Sequence, residues 1–139
     1  PTLLHQPAGG SLIPASEKSL SERGHFLKMN GREIFKSAVR VMERAARELL
    51  AQHGFSEKDV DHVIPHQANA RIVESLSQRL DIPLHKFYCN LDRYGNTSAA
   101  SIPIALDEAR RDLIFKDGQL GLLVAFGAGL TWSAVLVRF

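Results

Sequence analysis

Short apolar runs alternate with amphipathic helical runs along this chain, and that alternation leaves few folds open. The clearest pair is 119–126 and 131–138, two strand-like segments joined across Gly127-Ala128-Gly129. So short a connection favours an antiparallel hairpin. Upstream, His62–Pro65 reads as a short buried strand with Val63 and Ile64 at its heart and Pro65 to stop it. Residues 86–90 read as a second short strand. A helix is predicted over 68–80, with Ile72, Leu76 and Leu80 on one face. Another is predicted over 97–114, opening near Thr97 or Ser98 and rich in small residues. Strands alternating with helices predict a layered α/β fold on a mixed sheet.

The best helix covers 31–53, where Ile34, Phe35, Ala38, Val39, Met42, Ala45, Ala46, Leu49 and Leu50 recur at helical spacing. Asn30 stands as its N-cap, with Glu33 three residues on as in a capping box, and Gly54 closes it. Ser56, with Asp59 three residues on, opens a short helical turn. Residues 1–30 are loop-like, punctuated by Pro1, Pro7, Gly9, Gly10, Pro14 and Gly24, and a lead-in of that length is expected to pack on something or cover a site.

Composition narrows the function classes. The 139 residues suffice for one domain with a core, and 45% hydrophobic with 23% charged residues is ordinary globular usage. A net charge of +2 is too weak to argue for nucleic acid, and no apolar run is long enough to span a bilayer. One cysteine, Cys89, permits no intrachain disulfide and fits a reducing cytoplasm. The chain opens on Pro1 without an initiator Met, which suggests a fragment.

Three segments carry candidate chemistry. In Val63-Ile64-Pro65-His66-Gln67-Ala68-Asn69 a buried strand delivers His66 just before a helix, at the sheet edge where α/β proteins bind ligands. The plain alternative is a histidine in a helix-capping loop. In Tyr94-Gly95-Asn96-Thr97-Ser98 a glycine turn presents the Asn96 amide ahead of a helix of small residues, or forms only a tight turn with a cap. In Phe126-Gly127-Ala128-Gly129-Leu130 two glycines bracket Ala128, whose backbone N–H offers half of an oxyanion hole unless the turn is merely conformational.

Taken together and in this order, these segments resemble β-ketoacyl-acyl carrier protein synthase III of the thiolase superfamily. The stretches Asn30-Gly31-Arg32-Glu33-Ile34-Phe35-Lys36 and Ala134-Val135-Leu136-Val137-Arg138-Phe139 strengthen the likeness, which runs from about residue 7 to residue 139. It implies one domain, 1–139, forming the C-terminal thiolase-like half, with a mixed five-stranded sheet covered by helices. It further implies a condensing enzyme that joins a short acyl-CoA to malonyl-acyl carrier protein with loss of CO2, initiating type II fatty acid synthesis.

The resemblance assigns His66 and Asn96 as the donors that bind the malonyl thioester oxygen and steady the enolate. It puts Ala128 at the second oxyanion donor, where many members carry Gly, and Phe126 beside the reactive sulfur. Gln67, Ala68 and Asn69 match the wall of the substrate channel. Arg32 falls where some relatives have an Asn that contacts coenzyme A. Lys36 and Arg71 match basic residues that dock acyl carrier protein, and Arg40, Arg44 and Arg47 extend a basic stripe along the same helix, or form a solvated face balanced by Glu33, Glu43 and Glu48. No resident cofactor and no metal are implied, coenzyme A entering as a thioester substrate. Partners implied are acyl carrier protein, acyl-CoA, the N-terminal half and a second subunit, with neither nucleic acid nor membrane.

The family's nucleophilic Cys has no counterpart here. Cys89 sits in the segment leading into the Asn96 turn, not at the helix N-terminus or beside the cation that a reactive thiolate needs. The chain by itself is therefore expected to be inactive. His62 and His66, separated by a strand and Pro65, make a poor metal pair, His5, His25, His53 and His85 read as surface residues, and Trp132 reads as core. Two other readings stay open: a superfamily relative of secondary metabolism, and a non-catalytic half-domain.

Overall fold

The computed structural model describes residues 3–139, in two compact units, the first ending at Ser37 and the second running Ala38–Phe139. In the first unit, β1 (Leu4–His5) pairs antiparallel with β2 (Lys28–Met29), and α1 (Glu17–Ser21) lies between them in sequence. Ser16 and Ser19 form a reciprocal capping box at the start of α1. The buried Ser19 hydroxyl also meets the His25 ring at 2.9 Å, and the Ala8 N–H donates to Gly24 at 2.9 Å. The lead-in expected as loop is thus an ordered turn structure. Its two-residue strands carry too little periodicity to be read from sequence.

The long helix α2 (Gly31–Gln52) is the one expected over 31–53. Its N-terminal cap is half of the expected box. Asn30 Oδ1 accepts from the Glu33 N–H at 3.3 Å, but the Glu33 carboxylate turns to Lys36 at 3.3 Å instead of reaching back. At the other end Gly54 adopts φ +72 and the Phe55 N–H returns to the Leu50 carbonyl at 2.9 Å, a Schellman closure.

The second unit holds the functional architecture. Ser56 and Asp59 cap a single turn, Glu57–Asp59, which leads into β3 (His62–Pro65). Next come α3 (Ala70–Leu80), the short α4 (Leu91–Tyr94), α5 (Ser101–Arg111) and the hairpin β4 (Leu120–Gly127) and β5 (Thr131–Arg138). The sheet order is β3-β4-β5, with β3 parallel and β5 antiparallel to β4. It is mixed, as expected, but it has three strands, not five. Residues 86–90 do not form a full strand. The turn Leu84–Lys86 precedes them and α4 begins at Leu91, so only Phe87 pairs, in one parallel bridge to Val63.

The core of this unit gathers Met42, Ala46 and Leu50 of α2, Val63 and Ile64 of β3, Leu76 and Leu80 of α3, Ala105 and Ala109 of α5, and Leu122 and Val124 of β4. α5 packs on β3, and its small residues allow that approach. The helix is shorter than the expected 97–114. A separate turn, Ser98–Ala100, precedes it because Ser98 sits at φ +53, and Leu113 at φ +55 follows its end. No helix among the described residues is long and apolar enough to cross a membrane.

Candidate active site

The parallel pairing of β3 with β4 brings two of the three candidate segments to one edge of the sheet. Val63 lies opposite Leu122 and Pro65 opposite Val124, and the His66 N–H donates to the Val124 carbonyl at 2.8 Å. His66 therefore leaves the C-terminal end of β3 just where β4 runs on to Phe126 and the Ala128 turn. His66 is half-buried. Desolvation holds its imidazole below the usual histidine range, and a hydrogen bond with a backbone group of Ser98 acts in the opposite direction. That contact brings in the third segment, because Ser98 is two residues from Asn96.

Asn96 follows Gly95, whose φ of +67 favours glycine, and its side chain is exposed. Its Oδ1 accepts from the Ser98 N–H at 2.9 Å. This local Asx turn engages the amide oxygen and leaves Nδ2 as the donor end of the side chain. Ala128 opens a one-turn helix, Ala128–Leu130, so its N–H has no partner within that turn. Its carbonyl accepts from Thr131 Oγ1 at 3.2 Å. Of the two glycines only Gly129 takes a positive φ, +77, while Gly127 is extended. Phe126 is half-buried, opposite Trp132 across the hairpin. Three neutral donors, an imidazole, an amide and a backbone N–H, thus come from the loops at one sheet edge, an arrangement suited to developing negative charge on oxygen.

The other expected site residues fall in different roles. Gln67 is only 1% exposed and faces inward. Its Nε2 donates to the Tyr88 carbonyl at 3.2 Å and its Oε1 accepts from the Asn90 N–H at 2.8 Å, so its side chain clamps the backbone of residues 88–90. Asn69 caps α3 by accepting from the Arg71 N–H at 2.8 Å, and Ala68 is half-buried. Lys36 lies in the first unit and Arg71 in the second, and both are exposed. The rest of the basic stripe is largely paired: Arg44 with Glu48 at 3.7 Å, Arg47 with Glu43 at 3.5 Å and with Glu57.

Trp132 is 45% exposed, under the Arg44 guanidinium at 5.3 Å from its ring centre, and is not core. His62 is held by Gln119 Oε1 at 2.9 Å and lies edge-on to Phe115. Cys89 is exposed, but desolvation of the sulfur, with the Asp92 carboxylate adding to it, pushes the thiol up to about 11. Only about one thiol in 10⁴ is then ionised at pH 7. An open apolar groove lined by Leu49, His53, Phe55, Leu120 and Val137 lies at the opposite end of β4 from His66 and is no part of this site.

Sequence reasoning missed Glu108. It is a buried acid on α5 that receives hydrogen bonds from Asn90, Arg93 and Tyr94, and those partners hold its carboxyl below the usual range.

Fold and site together define a thiolase-like α/β unit with polar donors at its strand ends. Residues 50–139 match the family described as 3-oxoacyl-acyl-carrier-protein synthase III C terminal. The beta-ketoacyl-acyl-carrier-protein synthase III of Caldanaerobacter subterraneus subsp. tengcongensis is 50% identical over 136 residues, covering 98% of this chain and 41% of the relative. The crystal structure of the Aquifex aeolicus synthase III superposes with a TM-score of 0.81 at 48% identity, covering 90% of this chain and 42% of that one. The Pseudomonas aeruginosa enzyme gives 0.84 at 37% identity, covering 99% and 41%. The chain belongs to the 3-oxoacyl-acyl-carrier-protein synthase III family, as a C-terminal portion within the thiolase superfamily. It spans about two fifths of the length of the curated relatives it matches.

Proposed function

We propose that this chain supplies the enolate-stabilising half of a condensing site in type II fatty acid synthesis. In this reading a short acyl group passes from coenzyme A to a cysteine in the remainder of the protein. Malonyl-acyl carrier protein then binds, and its carboxylate–Cα bond breaks. The electron pair enters the thioester carbonyl and CO2 leaves. His66 and the Asn96 amide donate to the enolate oxygen. The enolate carbon attacks the acyl thioester, the Ala128 N–H donates to the new oxyanion, and collapse expels the cysteine thiolate. Phe126 walls the reacting sulfur.

The observation that carries the reading is that Ser98 links the two donors, its N–H engaging Asn96 Oδ1 in an Asx turn while a backbone group of the same residue reaches the desolvated His66 ring. Two neutral donors stabilise an enolate without competing for a proton. Cys89 does not fit the nucleophile's role, being almost wholly protonated at neutral pH. Exposed Lys36 and Arg71 are proposed to dock the acidic carrier protein, with Lys36 held only by a half-exposed pair to Glu33. Asn96 and Ala128 are exposed, which supports a site covered by the N-terminal half, and the whole protein is proposed to act as a homodimer. The isolated chain is accordingly proposed to be inactive.

The test is to supply the full-length protein with a short acyl-CoA and malonyl-acyl carrier protein. CO2 and a 3-oxoacyl carrier product are expected, and acyl loading without CO2 release contradicts the proposal. A pH profile adds a second check. Because the His66 pKa lies below 6.5 in the folded protein, neutral imidazole persists as pH falls through 6.5, and decarboxylation is expected to hold its rate there. In the same window the unfolded chain binds the proton more readily, so His66's contribution to stability is present above 6.5 and declines as pH falls through the folded-state pKa. A rate that halves at or above pH 6.5 counts against a neutral His66 as the donor.

A further inference from the structure

We infer that Glu108 is a positioning residue that sets the place of the Asn96 amide relative to His66. The inference rests on the reading of Asn96 as the enolate donor. Glu108 lies on α5, 8% exposed, and Asn90, Arg93 and Tyr94, which donate to it, fall within the five residues before Gly95. Its Oε2 accepts from Asn90 Nδ2 at 2.8 Å and from Arg93 Nη2 at 2.8 Å. Its Oε1 accepts from Arg93 Nη1 at 2.5 Å and from the Tyr94 hydroxyl at 3.2 Å. The Arg93 fork is bidentate, which fixes direction as well as distance.

Asn90 is also tied toward the histidine. Its N–H donates to Oε1 of Gln67, the residue that directly follows His66. One hydrogen-bonded chain therefore runs from the His66 backbone neighbour through Gln67, Asn90 and Glu108 to Arg93 and Tyr94, and Tyr94 is joined through Gly95 to Asn96. On the far side Asn96 leads through Thr97–Ala100 into α5 itself. The loop is thus stapled to the helix at its entry by Glu108 and anchored at its exit by the helix start. Gly95, the flexible link at φ +67, sits between staple and donor and needs such a staple to hold one conformation.

Glu108 touches no reacting atom, so its effect must pass through Asn96. In the full-length protein, Glu108→Gln keeps shape and an acceptor for Asn90 but gives up the charged fork. It is expected to slow CO2 release by acyl-loaded enzyme on the order of 10–10²-fold, the cost of a small misplacement of a catalytic group. Acyl transfer from coenzyme A and the KM for malonyl-acyl carrier protein are expected to be unchanged. In the background of Asn96→Ala, adding Glu108→Gln is expected to cause no further loss, since both act through one group. Losses that multiply, or both half-reactions falling together with the melting temperature, overturn the positioning role. If Glu108→Gln does not fold, Arg93→Met, at a half-exposed side chain, removes two of the four bonds and is held to the same expectations. Should Asn96→Ala slow CO2 release while neither of these variants does, positioning fails and the donor reading stands. Should Asn96→Ala leave CO2 release intact, the donor reading itself fails.

Discussion

Asn96→Ala in the full-length protein is expected to slow CO2 release from malonyl-acyl carrier protein by roughly 10²–10³-fold, the effect of removing one oxyanion donor from a preorganised site. His66→Ala is expected to do the same. The acyl-loading step is expected to survive both changes, because neither donor faces the acyl oxyanion in the proposed chemistry. Asn96→Asp should be no better than alanine. The Asx turn engages Oδ1 with the Ser98 N–H at 2.9 Å, so the remaining carboxylate oxygen presents charge of the wrong sign where the amide presented N–H. Equal losses in loading and decarboxylation contradict this division of labour. Separate single-turnover measurements of the two steps decide it.

The second large effect concerns stability. Leu122 is completely buried in the central strand β4, in register with Val63 on one side and Leu136 on the other. Leu122→Ala removes buried methyl and methylene groups where neighbouring strands cannot collapse inward, and a loss of about 2–5 kcal/mol is expected. Denaturant unfolding measures it, as a lower midpoint at unchanged slope. A loss near zero contradicts the placement of β4 at the centre of the sheet.

What the sequence disclosed follows the range of the forces involved. Local signals were legible. Gly54 ends α2 because only a residue tolerant of φ +72 closes that helix cheaply, and the close spacing of 119–126 and 131–138 yields the antiparallel hairpin. The strand His62–Pro65 was legible from its apolar run and proline stop, and with it the strand-end place of His66. Residues 86–90 misled because their apolar character serves one buried side chain, Phe87, and one bridge, while Asn90 turns the chain into α4. The inward clamp made by Gln67 is not legible locally, because its two backbone partners lie more than twenty residues away. Glu108 was invisible for the same reason. An acid within a charged helix reads as surface, and only the fold brings Asn90, Arg93 and Tyr94 onto it.

The central claim is that His66 and Asn96 converge on one oxygen of the malonyl thioester. The most direct measurement is a crystal structure of the full-length protein with a non-decarboxylating malonyl-thioester analogue bound. The account predicts His66 Nε2 and Asn96 Nδ2 both at hydrogen-bond distance from the thioester oxygen, about 2.7–3.1 Å, with Oδ1 still held by the Ser98 N–H. A thioester oxygen bound by other groups, or an Asn96 amide turned to present Oδ1, would contradict it.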